Sequence, residues 1–312
     1  MSDEKKLYRL VTRSDMDGLV CAVLLKEQGM LDGIKFVHPK DVQDGKVELG
    51  PGDITTNLPY SEKVYLAFDH HLSETIRVKG QHANYVIDPN APSAARVVYN
   101  HFGGKQAFPK ITDEMMEAVD KADSAQFNME EVLHPTNWSL LNFVMDPRTG
   151  LGRFRNFSIS NYDLMMALID YCRDHPIEQI LELPDVKERT ELYFELEEKF
   201  KEQLKRCGEV HGKVVVLDLR YEDTIFPGNR FMIYALNPEC TISMHIMWGV
   251  QKQNTVFAVG KSIFDRSAPL NVGELMLQYG GGGHAAAGTC QSENAQAEAT
   301  KKELTQKLMA GA

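Results

Sequence analysis

Residues 64–71 read Val-Tyr-Leu-Ala-Phe-Asp-His-His, and this stretch is the strongest indication of the fold. The run Val64–Phe68 is apolar and rich in β-formers, which is typical of a strand. Asp69, His70 and His71 follow it directly. Ten histidines in 312 residues would give only about 0.3 adjacent pairs by chance. The alternative is a polar turn, but an Asp with two His offers the ligand types of a Mn or Fe site.

The first 125 residues alternate short strand-like segments with longer helical ones. This alternation predicts a parallel sheet with helices on both faces. Ligands bind such sheets at the carboxyl ends of the strands, so the polar residues after each strand are candidates. The predicted strands are Leu7–Thr12, Ile34–Val37, Val64–Phe68 and Tyr85–Ile87. Three helices are also predicted: the first over Gly18–Gln28, the second from a Ser93 cap to about Asn100, and the third starting near Asp113.

The second half of the chain predicts another domain. Its pattern is helical from Asp163 to Cys207, and Asp185–Lys205 indicates a connecting helix that ends at Cys207-Gly208. The elements predicted after it are strands Lys213–Leu219, Cys240–Trp248 and Val256–Gly260 and a helix near Ala295–Leu308. We therefore expect an α/β protein of two domains: a parallel-sheet domain over residues 1–184, a connecting helix over 185–208 and a smaller α/β domain over 209–312.

The composition excludes several classes of protein. With 43% apolar and 25% charged residues the chain is expected to be globular, not disordered. It has no apolar run long enough to span a membrane, and its start, MSDEKKLYRL, lacks the apolar core of a secretory signal. The five cysteines are widely spaced, which favours a reducing cytoplasm over a disulfide framework. A net charge of -10 disfavours duplex DNA as a partner, so an anionic substrate would need local cations.

Three further polar clusters stand where predicted elements end. Asp15-Met16-Asp17-Gly18 follows the first strand, and a helix cap is its simpler explanation. The cluster Asp120–Ser124 ends a predicted helix, where a solvated helix end is the alternative. Four glycines at 280–283 precede His284, and their backbone N–H groups could approach an anion, with a following helix adding its positive end. No Lys-Ser/Thr pair follows, which excludes a nucleoside-triphosphate P-loop.

In this order, Asp-x-Asp-Gly, Asp-His-His, Ala-Asp-Ser and Gly-Gly-Gly-His resemble the motifs of the DHH family of phosphoesterases. The resemblance covers essentially the whole chain and implies a DHH domain followed by a DHH-associated domain. Members are similar in using two Mn ions to hydrolyse polyphosphate, short oligonucleotides, phosphorylated adenosine nucleotides or cyclic dinucleotides. The tail, with Ser262, Arg266 and residues 271–274 before the Gly-rich His, looks like the exopolyphosphatase-related branch.

The resemblance also implies a role for each matching residue. Asp15 would bind one metal ion, whereas Asp17, His70 and Asp123 would bind the other. Asp69 would support the site, and His71 would face the scissile phosphate. The implied substrate-binding residues are Gly281, Gly282, Gly283, His284, Arg266 and Ser262. The ions would be Mn, with Mg or Co as alternatives, and would activate a water that attacks phosphorus in line.

Two positions depart from the family pattern. Relatives commonly carry a metal ligand where this chain has Arg13, which cannot bind a cation. Relatives also carry a bridging Asp after the strand that precedes Asp-His-His. Asn57 stands there if Asp53–Thr56 is the strand, with Asp53 as the alternative, and an amide offers a metal one oxygen only. We hypothesise that the first metal site is lost and that Arg13 places a fixed positive charge against Asp15, as a candidate catalytic residue.

The leading interpretation is a cytoplasmic, metal-dependent phosphohydrolase that acts on a small phosphorylated substrate in the cleft between the domains. The competing one is a non-catalytic binder or sensor of a phosphorylated ligand on the same fold, which Arg13 and Asn57 favour. A nuclease on single strands is disfavoured, because the sequence shows no basic and aromatic stripe. No membrane or duplex DNA partner is expected, and a homodimer stays open.

Overall fold

The computed structural model describes residues 6–312, so part of the start on which the expectation of no secretory signal rests lies outside the described residues. The chain divides into two compact units. Unit 1 contains the residues up to Gln126 together with Thr136–Glu191, and unit 2 contains Phe127–Pro135 and Leu192–Ala312. None of the helices in the described part combines the length and apolar character that a membrane crossing requires.

The strands and helices follow the predicted alternation closely. The strands are β1 (Tyr8–Thr12), β2 (Leu31–Phe36), β3 (Asp53–Thr56), β4 (Leu66–Asp69), β5 (Tyr85–Ile87), β6 (Gly208–His211), β7 (Val214–Asp218), β8 (Ile242–Trp248), β9 (Thr255–Lys261), β10 (Gly282–His284) and β11 (Ala287–Ser292). The helices are α1 (Met16–Glu27), α2 (Pro39–Gln43), α3 (Leu72–Arg77), α4 (Ala94–Phe102), α5 (Asp113–Asp123), α6 (Met129–Leu133), α7 (Asn137–Met145), α8 (Asn161–Asp174), α9 (Ile177–Leu181), α10 (Pro184–Cys207), α11 (Met232–Leu236), α12 (Val272–Leu277) and α13 (Ala297–Ala310).

The sheet of unit 1 is parallel throughout, in the order β2-β1-β3-β4-β5, which confirms the predicted fold class. Because β1 lies between β2 and β3, the strand order reverses direction at β1. The carboxyl ends of β1, β3 and β4 therefore lie side by side at the kind of position where such sheets bind ligands. Asp53–Thr56 is confirmed as a strand, and residue 57 follows it at this same edge.

Helix α1 is buried on all sides, not only along the single apolar face that the sequence predicts. The run from Leu19 to Leu25 has no solvent-exposed surface. The reason is that α1 packs against α4, α5 and α8 as well as lying beside the sheet. A helix that is enclosed in this way is apolar around its whole circumference.

The sheet of unit 2 has the order β10-β11-β9-β8-β7-β6 and is antiparallel except for the pair β7–β8. The prediction of a helix after the glycine run is wrong, because Gly282–His284 forms β10 and pairs with β11. The close approach of the two strands requires glycine. A Cβ on Gly281 would lie 2.0 Å from the Thr289 carbonyl oxygen, and one on Gly283 would lie 2.3 Å from that of Ala287.

The central strand of this sheet carries a histidine that should make the stability of unit 2 depend on pH. Burial lowers the pKa of His245 to about 4. The unfolded chain, with a pKa near 6.5, takes up this proton first, so stability is full above pH 6.5 and is lost as the pH falls toward 4. From pH 7.5 to 5.0 we expect a loss of about 1–2 kcal/mol from this group, which is partly exposed.

The measurement is urea unfolding at both pH values in a Trp138→Phe background, where Trp248 of β8 is the remaining tryptophan. The side chain of the His245→Gln variant cannot titrate, so its free energy of unfolding should decrease between pH 7.5 and 5.0 by about 1–2 kcal/mol less than that of the protein with His245. An equal decrease in both proteins would show that His245 is not the group responsible.

Candidate active site

The segment that joins β1 to α1 is held tightly at the carboxyl edge of the sheet. Asp15 is the N-cap of α1, and its Oδ1 accepts the Gly18 N–H at 3.1 Å. A Cβ on Gly18 would lie 2.0 Å from the Arg13 carbonyl oxygen, so only glycine allows the helix to begin this close to the loop. The helix-cap interpretation of Asp15 therefore holds in the structure.

Three of the five predicted metal ligands come together. Asp17, His70 and Asp123 each offer one ligand atom, and these atoms lie within 4.8 Å of one another. We call these three residues the ligand group. Asp17 lies in the first turn of α1, His70 directly follows β4, and Asp123 is the last residue of α5. Asp15 is not among them.

Asp17 is buried and is held by N–H groups from two other elements. Its Oδ1 accepts the Ala95 N–H at 2.7 Å, and its Oδ2 accepts the Ala94 N–H at 3.0 Å and the Asn57 Nδ2 at 2.7 Å. The two backbone donors are the first residues of α4, which Ser93 caps as predicted. Burial is the main cause that raises the pKa of Asp17, and the nearby carboxylates add to it.

His70 is oriented by its backbone surroundings. Its Nδ1 lies 3.2 Å from the Ala91 carbonyl oxygen, which can only accept, so Nδ1 carries a proton and Nε2 faces the ligand group. Nε2 is buried, and although it lies 2.9 Å from Asp123 Oδ2, it makes no hydrogen bond of acceptable geometry. Burial lowers the pKa of His70, but the Asp123 carboxylate outweighs burial and raises it to about 9.

These three residues fit a divalent metal ion. Two carboxylates and one imidazole nitrogen are a donor set suited to Mn²⁺ and similar ions. His70 Nε2 is buried and makes no hydrogen bond of acceptable geometry, so it is free in direction to serve as a ligand atom beside the two carboxylates.

Asp69 orients the second histidine of the motif. Its Oδ1 accepts the His71 Nδ1–H at 2.7 Å and the His70 backbone N–H at 2.8 Å, and Tyr85 donates its hydroxyl to Oδ2 at 3.2 Å. Asp69 is almost completely buried. A carboxylate fixed in this way sets the tautomer of His71 and places its reactive nitrogen at Nε2.

Arg13 and Asn57 stand beside the ligand group. Arg13 Nε lies 3.0 Å from Asp15 Oδ2, and its Nη1 donates to Asn57 Oδ1 at 3.5 Å. Asn57 has a left-handed φ of 54°, which Asn tolerates better than most residues. Asp53, the alternative to Asn57, lies at the opposite end of β3 and pairs with Arg9 at 2.8 Å.

The side chains that tie α4 to α5 were not among the predicted site residues. Asp120 accepts the Ser93 hydroxyl at 2.7 Å and the Arg96 Nε at 2.9 Å. This link holds the α4 donors of Asp17 in a fixed relation to Asp123, one turn after Asp120 on α5. The only signal in the sequence was the acidic cluster 120–124 itself, which showed no partner.

Arg148 is a second residue that was missed. It follows α7, and its Nε donates to both oxygens of Asp146, at 2.8 and 3.0 Å. Partial burial lowers the pKa of Arg148, but Asp146 and, from further away, Asp15 and Asp123 outweigh this and raise it. The guanidinium therefore lies within electrostatic reach of the ligand group. No motif marks it in the sequence.

The predicted substrate-binding residues all lie in unit 2. Ser262 is buried just after β9, where its hydroxyl accepts the backbone N–H groups of Phe264 and Asp265. Arg266 is in the same loop, and its Nε lies 3.4 Å from the Ile263 carbonyl oxygen. His284 is exposed at the end of β10. Of the three glycines, Gly281 and Gly283 are explained by strand packing, whereas a Cβ on Gly282 would meet open space.

Comparisons with known proteins place this chain in a family. The chain matches no protein-family model and no curated protein. Among solved structures it is similar to a pGpG-specific phosphodiesterase, PggH from Vibrio cholerae, with 61% identity, 98% of this chain and 100% of that chain covered, and a TM-score of 0.84. An exopolyphosphatase-related protein from Bacteroides fragilis, at 12% identity, covers 96% of this chain and 91% of its own with a TM-score of 0.51, which indicates the fold alone. With its motifs and this relative, the chain belongs to the DHH family of phosphoesterases and is an enzyme of the hydrolase class.

Proposed function

We propose that this protein hydrolyses the phosphodiester bond of a short linear dinucleotide, with pGpG as the first candidate, in a reaction that depends on a divalent metal ion. The observation that carries the proposal is the 61% identity to a pGpG-specific phosphodiesterase over the full length of both chains. The grouping of Asp17, His70 and Asp123 supports the metal dependence.

Asp17, His70 and Asp123 would hold the ion. When bound, it would supply Lewis-acid activation of water and neutralise charge on the phosphate. We propose Mn²⁺ first, with Mg²⁺ and Co²⁺ as alternatives, because the donor set suits all three. The role of the protein at this point is positional: α4 donates to Asp17, and the Ala91 carbonyl orients His70.

His71 would act on the substrate itself. Because Nδ1 donates to Asp69, the proton that His71 can give or take is the one at Nε2. A proton held there can stabilise a phosphate oxygen by a charge-assisted hydrogen bond or protonate the leaving oxygen. Asp69 acts through His71 and is a positioning residue.

We expect Arg148 to bind a substrate phosphate. Its Nε faces Asp146, so among the described residues its terminal nitrogens are the part of the guanidinium available to an anion near the ligand group. Removing a charged hydrogen bond costs about 1.5–3 kcal/mol. Arg148→Ala should therefore raise KM by about 10- to 100-fold and change kcat little. The control is Arg155→Ala, because Arg155 is an exposed arginine of the same segment. Equal changes in KM for both variants would show that Arg148 has no specific role in binding phosphate.

The function is tested with purified full-length protein on pGpG, pApA, the same dinucleotides without a 5′-phosphate, and polyphosphate. Each substrate is assayed with Mn²⁺, Mg²⁺, Co²⁺ or EDTA, and products are separated by chromatography. We expect GMP from pGpG only when metal is present, and none from Asp123→Ala. Release of phosphate from polyphosphate without cleavage of any dinucleotide would contradict the proposal.

The same assay separates the enzyme from a binder of dinucleotides. If no metal supports cleavage while pGpG still raises the melting temperature, the proposal fails and binding alone is left. We propose that Ser262, Arg266, Gly282 and His284 contribute to substrate affinity. Substitution of Gly282 is the most informative of these, because open space at its Cβ leaves the fold intact.

A further inference from the structure

The guanidinium of Arg13 places a positive charge of the protein itself next to the ligand group, between Asp15 and Asn57. Asp15 is the acidic side chain that could extend the group toward a second ion, but both of its oxygens are engaged. Oδ1 accepts the Gly18 N–H at 3.1 Å, and Oδ2 lies 3.0 Å from Arg13 Nε. Neither partner can be displaced cheaply, since Gly18 is fixed in α1 and a guanidinium keeps its charge at all relevant pH values.

The carboxylate of Asp17 also has few acceptor sites left for metal ions. A carboxylate oxygen has about two acceptor sites. Asp17 Oδ2 accepts two N–H groups, from Ala94 and Asn57, and is therefore filled. Oδ1 accepts the Ala95 N–H and a long contact from Cys21 Sγ at 4.0 Å, so it keeps room for one ion at most.

Asn57 presents hydrogens where a bridging ligand would have to present oxygen. Its Nδ2 donates to Asp17, and its Oδ1 faces Arg13, so the acidic neighbour on one side and the cation on the other fix the amide orientation. In this orientation its side-chain oxygen points to a guanidinium. Asn57 therefore connects Arg13 to Asp17 and ligates nothing.

The pairing of the charged groups also favours one ion. Asp15 is paired with the Arg13 guanidinium, which leaves Asp17 and Asp123 as the carboxylates of a single ion position. Arg13 is also linked to the ligand group through Asn57, which accepts from Arg13 Nη1 and donates to Asp17 Oδ2. A second divalent ion beside Arg13 would be repelled by the guanidinium at short range.

We propose that this site binds a single divalent metal ion and that the Arg13 guanidinium is the second cation of the reaction, in contact with the substrate phosphate. This inference rests on the proposed function for the identity of the substrate only. Arg13, Asp15 and Asn57 thus form a built-in cation position, and the metal position comprises Asp17, His70 and Asp123.

The first test is metal stoichiometry, which needs no substrate. Native mass spectrometry and titration with Mn²⁺ should give one tightly bound ion per chain, with the EPR spectrum of an isolated Mn²⁺. In the double variant Arg13→His/Asn57→Asp we expect two ions per chain and the spectrum of an exchange-coupled pair. Arg9→His is the control and should bind one ion, because Arg9 lies on β1, the strand that precedes Arg13, and is paired with Asp53.

Two ions in the wild-type protein would overturn the proposal, and so would one ion in the folded double variant. The wild-type count is independent of whether the variant folds. If the stoichiometry is as expected but no substrate is cleaved, the proposed function fails while the single-ion site stands.

The second test concerns the role of Arg13 toward phosphate. Arg13→Ala should bind one ion as before and lose about 10- to 100-fold in kcat/KM, the range for one charged hydrogen bond. Added guanidinium should restore part of the activity, and Arg13→Lys should keep more of it than Arg13→Ala. Unchanged kcat/KM in Arg13→Ala would show that the residue only neutralises Asp15.

Discussion

Asp17→Asn should abolish both metal binding and hydrolysis while the chain still folds. Asp17 is the buried member of the ligand group, and the substitution removes one of its two carboxylates. The Asn amide would also bring an NH₂ toward the N–H donors of Ala94, Ala95 and Asn57, which its one oxygen cannot all satisfy. Altering the residues that merely support a ligand weakens metal binding about 10- to 100-fold. We therefore expect more than about 100-fold weaker Mn²⁺ binding here.

The measurement is calorimetric titration with Mn²⁺ together with the dinucleotide assay. Asp53→Asn is the matched control, because Asp53 is a buried acid of the same unit that pairs with Arg9, at the end of β3 opposite Asn57. That variant should lose stability and keep its metal affinity. Equal metal affinity in Asp17→Asn and wild type would exclude Asp17 as a ligand, and the metal site would then have to lie elsewhere.

Asp69→Asn should reduce kcat strongly while leaving the metal in place. Asp69 fixes the His71 ring through Nδ1 at 2.7 Å, and an Asn there can offer its NH₂ instead and favour the other tautomer. General acid–base groups contribute about 10²–10⁴-fold, so the loss should fall in that range. KM should change little, because the proposed contact of His71 with the substrate matters most in the transition state.

A double-mutant cycle separates positioning from mere damage. If Asp69 acts through His71, the variant Asp69→Asn/His71→Ala should be about as slow as His71→Ala alone. Fully additive losses would contradict this. Because Asp69 also accepts the His70 N–H and the Tyr85 hydroxyl, Mn²⁺ stoichiometry and thermal unfolding are measured for every variant.

Much of this site was predictable because its chemistry follows local patterns. The parallel sheet follows from alternating strands and helices, and the polar residues after β1 and β4 mark the edge where ligands bind. The helix boundaries at Asp15 and Ser93 follow from capping. The Asp-His-His stretch was informative for the same reason, since its residue types and spacing are those of a ligand set.

What could not be predicted depends on contacts between distant segments. The glycine run was expected to precede a helix, but the strand that it pairs with, β11, decides its conformation. Arg148 carries no motif, and it is brought toward Asp15 and Asp123 by the path of the chain after α7. Asp120 likewise shows its function only through its hydrogen bond to Ser93.

The fold class and the departures at Arg13 and Asn57 can be read from residue types and their order along the chain, and the resemblance to the DHH family implies Asp17, His70 and Asp123 as ligands. What those two departures do depends on contacts that form only in the folded chain. Arg13 reaches Asp15 within its own loop, but Asn57 reaches Asp17 only because β3 lies beside β1. Strand order is a property of the whole sheet, and it determines which side chains from distant parts of the sequence come into contact.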